Sequence, residues 1–97
     1  MTSFESIYGE YTHYLEKERN LSEHTVRAYL GDLESFLSHL EMQKVDEVAY
    51  ITIAHIRSWL ANQQVKGGAR TTLSRRAVSI RLFTKWATKK GYLAKDV

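Results

Sequence analysis

Among its 97 residues this sequence has no cysteine and no proline, and glycine occurs only five times. The lack of cysteine excludes disulfide staples and thiolate chemistry, and it removes the sulfur ligands from any zinc site. Without proline, breaks between elements must come from glycine and polar caps. No apolar run approaches the ~20 residues of a membrane span, and the N-terminus lacks the basic-then-apolar pattern of a signal peptide. A soluble cytoplasmic protein with no membrane partner is therefore the expectation. Acidic residues are also scarce in one region. Residues 61–97 hold nine lysines and arginines against Asp96 alone, a net charge of +8, whereas residues 1–60 carry a net of −5. Such segregation points to a polyanion facing one part of the fold.

What is present fits a single domain. A chain of this length, 43% apolar and 26% charged, buries roughly 60–70% of its unfolded surface, enough for one core. Apolar residues recur at helical spacing in four segments. The first runs from Thr2 or Ser3 to Arg19 with Phe4, Ile7, Tyr8, Tyr11, Tyr14 and Leu15 on one side. Ser22 caps the second, whose stripe is Val26, Tyr29, Leu30, Leu33, Phe36, Leu37 and Leu40. Residues 41–51 sustain no period and read as a connecting loop. Thr52 caps a third helix reaching Val65, with Ile53, Ile56, Trp59 and Leu60 inward.

Lys66-Gly67-Gly68-Ala69 is the strongest breaker and leads into the fourth helix, Thr71–Lys90. Its stripe is Leu73, Ala77, Ile80, Phe83 and Ala87, and a second line of Val78, Leu82 and Trp86 lies off it. Thr71 or Thr72 is expected to cap this helix, and Gly91 to end it. Four helices joined by short to moderate connections make an all-α bundle.

No catalytic constellation is visible. His13, His24, His39 and His55 are scattered, Lys66-Gly67-Gly68 lacks the spacing of a phosphate loop, and no serine is placed beside a base. Neither catalytic residues nor a metal or cofactor is expected. Nucleic-acid binding agrees better with charge and pattern. Helix N-termini direct N–H groups at phosphates, and Lys and Arg displace the counterions of duplex DNA. Arg75 and Arg76 stand in the first turns of the basic helix. An ion pair with the acidic face of a neighbouring helix is the alternative use of either one. The competing functional class is a helical protein-interaction module whose basic face takes an acidic partner. A helix-turn-helix reader is disfavoured, because the loop after the second helix exceeds the short turn that motif needs.

The run Leu21-Ser22-Glu23-His24-Thr25-Val26-Arg27-Ala28-Tyr29-Leu30-Gly31-Asp32-Leu33-Glu34-Ser35-Phe36 resembles the Leu-Ser-x-x-Thr-x-x-x-Tyr-x-x-Asp-Leu-x-x-Phe signature of tyrosine recombinases. The run from Leu73 to Trp86 resembles that family's second segment, and Gly91-Tyr92-Leu93 looks like the stretch before its interdomain linker. The resemblance spans nearly the whole chain and is nearest to the Xer-type recombinases, with phage integrases as cousins.

It implies an orthogonal four-helix, SAM-like core-binding domain over residues 1–97, with residues 91–97 opening a linker to a catalytic domain that this sequence does not contain. The second and fourth helices would approach the major groove of a double-stranded DNA recombination site. By position, His24, Thr25, Arg27, Ala28 and Tyr29 would come from one, and Arg70, Thr72, Arg75, Arg76 and Arg81 from the other. No tyrosine here corresponds to the nucleophile. Other recombinase subunits would be partners in the full-length protein, with Tyr8, Tyr11 and Tyr14 as a contact surface, and the isolated domain would be monomeric and nucleoid-associated.

Overall fold

The computed structural model describes residues 4–94, and Thr2, Ser3 and the tail from Lys95 to Val97 lie outside the described residues. The elements are α1 (Phe4–His13), α2 (Glu23–Met42), α3 (Ile53–Val65) and α4 (Arg70–Lys89). A π-helical turn over Tyr14–Glu18 prolongs α1, and a 3₁₀ turn over Val48–Tyr50 lies between α2 and α3. There is no strand among the described residues. The fold is the all-α, four-helix bundle that the periodicity implies.

Each helix ends where local chemistry stops it. At the end of α4, Gly91 takes φ +84°, its N–H donates to the Thr88 carbonyl, and the Tyr92 N–H reaches back to the Ala87 carbonyl. That pair of bonds satisfies two terminal carbonyls that otherwise have no partner. Gly67 (φ +86°) repeats the device after α3. After α2 the same left-handed position is filled by Lys44 (φ 62°), and Val45 beyond it turns into the core.

The starts differ. Ser22 Oγ accepts from the Thr25 N–H at 3.2 Å, as expected. Thr52 forms a reciprocal cap with His55, whose Nδ1 accepts from the Thr52 N–H at 3.0 Å. The expected cap of α4 by Thr71 or Thr72 is corrected. The turn at Gly67 and Gly68 delivers the chain early, Ala69 occupies the cap position with no side-chain bond, and both threonines fall inside the first turn.

The core joins all four helices. Ile7, Tyr11 and Leu15, Leu33, Phe36 and Leu40, Ile56 and Trp59, and Ile80, Phe83, Trp86 and Ala87 are buried together. Tyr11 packs edge-on against Phe83 with ring centroids 5.1 Å apart, and Phe36 lies 5.3 Å from Trp59. Residues 41–51 are more ordered than a simple loop, since Val45, Val48 and Ile51 all close the core. Ile53, expected inward, is 44% exposed, because as the first residue of α3 it precedes the turn that faces the bundle. Tyr11 is likewise wholly buried, which takes it out of the expected contact surface, while Tyr8 and Tyr14 are half-buried.

Candidate nucleic-acid interface

The candidate interface is built where the first turns of α4 lean on the middle of α2. Asp32 is completely buried on α2 and receives two arginines from α4. Arg75 grips it with both arms of the guanidinium, Nε to Oδ2 at 3.2 Å and Nη2 to Oδ1 at 2.5 Å. Arg76 Nε lies 3.2 Å from the same Oδ1, an ion-pair distance at which its N–H makes no hydrogen bond. One Nη1 of Arg76 donates to Gln63 of α3 and, at 3.5 Å, to Ser35, while its guanidinium carbon stands 5.8 Å over the Trp59 ring. A buried carboxylate is tolerable only with such charged hydrogen-bond partners. Hydrogen bonding to Asp32 raises the Arg75 pKa above its ordinary value, partly opposed by burial.

The two arginines therefore occupy the structural alternative weighed from sequence, and both do so. Arg76 is a strut across three helices, with its side chain only 21% exposed. Arg75 is paired yet keeps 42% of its side chain in solvent. Tyr29 is close enough to act on the Arg75 charge, and it lies one helical turn beyond Thr25. Tyr29 thus stands between the two, one turn from Thr25 and within electrostatic reach of Arg75. Arg75, five residues into α4, reaches Asp32, which lies ten residues and about 15 Å along α2 from its Ser22 cap.

The remaining candidate residues sort by exposure. His24 and Arg27 are exposed on α2, with Arg27 bound to Glu23 one turn back at 3.1 Å. Thr25 is half-buried and accepts a bond from the Ser22 hydroxyl at 2.9 Å. Ala28 and Tyr29 are half-buried, and Thr72 is half-buried on α4. Arg70 and Arg81 are exposed and have no ion pair among the described residues. With Ser74, Val78, Lys85 and Lys89 they form an exposed edge along the length of α4.

Two features escaped the sequence reading. One is Asp32 itself, whose signal is a lone carboxylate set directly before Leu33 in the apolar stripe of α2. The other is the extension of the exposed edge to Lys85 and Lys89, which share the helical spacing of Arg81. Among the described residues no group of histidine and carboxylate side chains could hold a metal ion. No helix is long and apolar enough to cross a membrane among those residues.

Comparison with known proteins follows the same lines. The chain is 44% identical over 91 residues to the tyrosine recombinase XerC of Mycobacterium leprae (strain TN), covering 94% of this chain and 30% of that protein. It is 41% identical over 92 residues to tyrosine recombinase XerC of Mycobacterium tuberculosis (strain ATCC 25177 / H37Ra), covering 95% and 30%. To that of Mycobacterium sp. (strain JLS) it is 40% identical over 93 residues, covering 95% and 31%. The chain thus spans about a third of the length of these relatives. No solved structure matches it. The model of the phage integrase N-terminal SAM-like domain matches residues 9–91, and by that match over most of its length the chain belongs to this family.

Proposed function

We propose that this chain is the DNA-binding domain of a site-specific tyrosine recombinase, gripping duplex DNA with α2 and α4 while a separate catalytic domain carries out strand exchange. The observation that carries this reading is the exposed edge of α4 from Arg70 through Arg81, together with the exposed His24 and Arg27 on α2. The start of α4 supports it further, since Ala69 offers no side-chain acceptor and the first N–H groups stay available to an anion. Arg70, Arg75 and Arg81 contact phosphate or base edges from α4, with Thr72 beside them. His24, Arg27 and the small Ala28 let α2 approach closely, and Thr25 and Tyr29 position that face. Arg76 acts from beneath as a positioning residue. The chain supplies no catalytic group, so the recombination chemistry belongs to the parent protein. Tyr8 and Tyr14 remain for contacts with other recombinase subunits, and a DNA partner places the protein in the cytoplasm with the nucleoid.

Duplex binding measured across a salt series tests this reading. Each phosphate contact contributes ~0.9 to the log–log salt slope. Arg70→Ala and Arg81→Ala should each lower the slope by about that amount without loss of helical content. Unchanged affinity and slope in both variants would remove the proposed face. Capture by an acidic peptide but not by duplex would favour a protein-interaction module instead.

A further inference from the structure

The second half of α4 borders a cleft that the proposed groove contact does not use. The cleft encloses about 560 Å³ between the π-helical end of the first helix and the last turns of α4. That size falls within the usual range of ligand clefts, roughly 300–1,000 Å³. Its rim carries Arg19, Lys85, Lys89 and Lys90 against the single acid Glu18. None of these four cations is in an ion pair among the described residues, in contrast to Arg27, Arg75 and Arg76. Lys85 and Lys89 stand one turn apart on the same face, so their ammonium groups overhang the same space.

The wall adds two aromatic rings. Tyr14 and Trp86 line the cleft with centroids 6.0 Å apart. The Trp86 indole N–H is buried and has no hydrogen-bond partner, whereas the Trp59 N–H donates to Ser35 Oγ at 3.0 Å. An unmatched buried donor is costly, and an acceptor that reached it would relieve that cost. The wide π turn ends the first helix at this place and brings Glu18 and Arg19 to the rim. Turns of this kind concentrate at functional positions.

We propose that this cleft binds a phosphate group. Several lysines around one site suit an anion with more than one charge and several acceptor oxygens, which a single carboxylate does not match. A phosphate oxygen seated between Lys85 and Lys89 meets the ammonium donors at the side of the cleft that the Trp86 ring lines, where its N–H resonance reports the ligand. The cleft opens only three residues before Ser22, where the DNA-facing part of α2 begins. A backbone phosphodiester flanking the groove is therefore one source, and this source rests on the proposed DNA-binding reading. A free polyphosphate compound is the other.

The test follows the two indole N–H resonances of the ¹⁵N-labelled chain during titration with inorganic pyrophosphate at constant ionic strength. The Trp86 signal should move saturably while the Trp59 signal stays. The pair K85Q/K89Q should weaken this response roughly tenfold or more, and K85R/K89R should retain it. Arg57→Gln, on the exposed face of α3, should leave it unchanged. A Trp86 signal that does not move, or that moves equally in K85Q/K89Q, would overturn the proposal.

A short duplex then separates the sources. Displacement of pyrophosphate with the same Trp86 shift identifies the DNA backbone, and a duplex that binds with Trp86 silent identifies a free phosphate compound. A duplex that fails to bind while pyrophosphate still does would remove the proposed DNA-binding role and leave the cleft standing.

Discussion

The two halves of α4 carry similar formal charge and use it in opposite ways. In the first half, Arg75 and Arg76 turn inward to Asp32, and Arg76 also reaches Gln63 and the face of Trp59. In the second half and at its C-cap, Lys85, Lys89 and Lys90 meet no acid among the described residues except Glu18 across the cleft rim. The residue types match the tasks. A guanidinium presents a rigid fork that satisfies a buried carboxylate from two sides, while an ammonium is a strongly hydrated point charge suited to an open surface. A count of basic residues therefore overstates the charge that a ligand can meet. What a polyanion encounters is the part left over after internal pairing, and that part lies at Arg70, the exposed portion of Arg75, Arg81 and the C-terminal lysines.

The largest effect should come from breaking the inward half. Asp32→Ala leaves two arginines beside a buried site with no counter-charge. Removing one partner of a buried pair costs about 3–5 kcal/mol. Here Arg75 is partly exposed and can rehydrate, so the loss should sit at the lower end, about 3 kcal/mol by urea unfolding. The same change frees Arg75 to behave like the lysines of the other half, so the salt slope of duplex binding should rise. A variant as stable as the parent with an unchanged slope would mean that the two halves do not differ in kind.

Lys44→Gly sharpens the comparison from outside α4. Lys44 holds a left-handed backbone (φ 62°) because the chain must turn there to bury Val45, and glycine adopts that conformation without the side-chain clash. The variant should gain about 1 kcal/mol in unfolding free energy while losing one positive charge. Its salt slope for duplex should not change. A fall in the slope would show that net charge, and not its placement on α4, governs binding.

The helices and most of the core were legible because burial imposes a 3.6-residue period. Val26, Leu33, Phe36 and Leu40 are buried as that period requires, as are Ile80, Phe83 and Ala87. The cap of α4 was not legible, since Thr71 and Thr72 look like caps until the geometry of Gly67 and Gly68 moves the cap position to Ala69, two residues before Thr71. The candidate site was less accessible still. Arg75 and Arg76 read as ligands or as struts with equal ease, and only the position of Asp32, 43 residues away in sequence from Arg75, separates the two. Periodicity reports which side of a helix faces inward. It carries no information about which charged group waits on the neighbouring helix.

A third arrangement, at the contact of α2 with α3, differs from both halves of α4 because its titrating group is shielded yet has no acid beside it. His39 is half-buried, its Nε2 lies 3.0 Å from Ser58 Oγ, and Gln43 donates to the same hydroxyl at 3.2 Å. Burial lowers the His39 pKa, and the nearby His55 and Lys66 lower it further. The neutral ring is thus the form the fold prefers, and the unfolded chain takes up a proton at a higher pH than the folded one does. Stability from this group is complete above the ordinary histidine pKa and is lost as pH falls from there through the depressed folded value. The expected loss is smaller than the Lys44→Gly gain. His39→Gln keeps a polar partner for Ser58 without a titrating group, so it should flatten this part of the stability–pH curve. If the slope persists in that variant, a cation without a carboxylate costs nothing measurable at this contact, and the contrast drawn within α4 would have to rest on Asp32 alone.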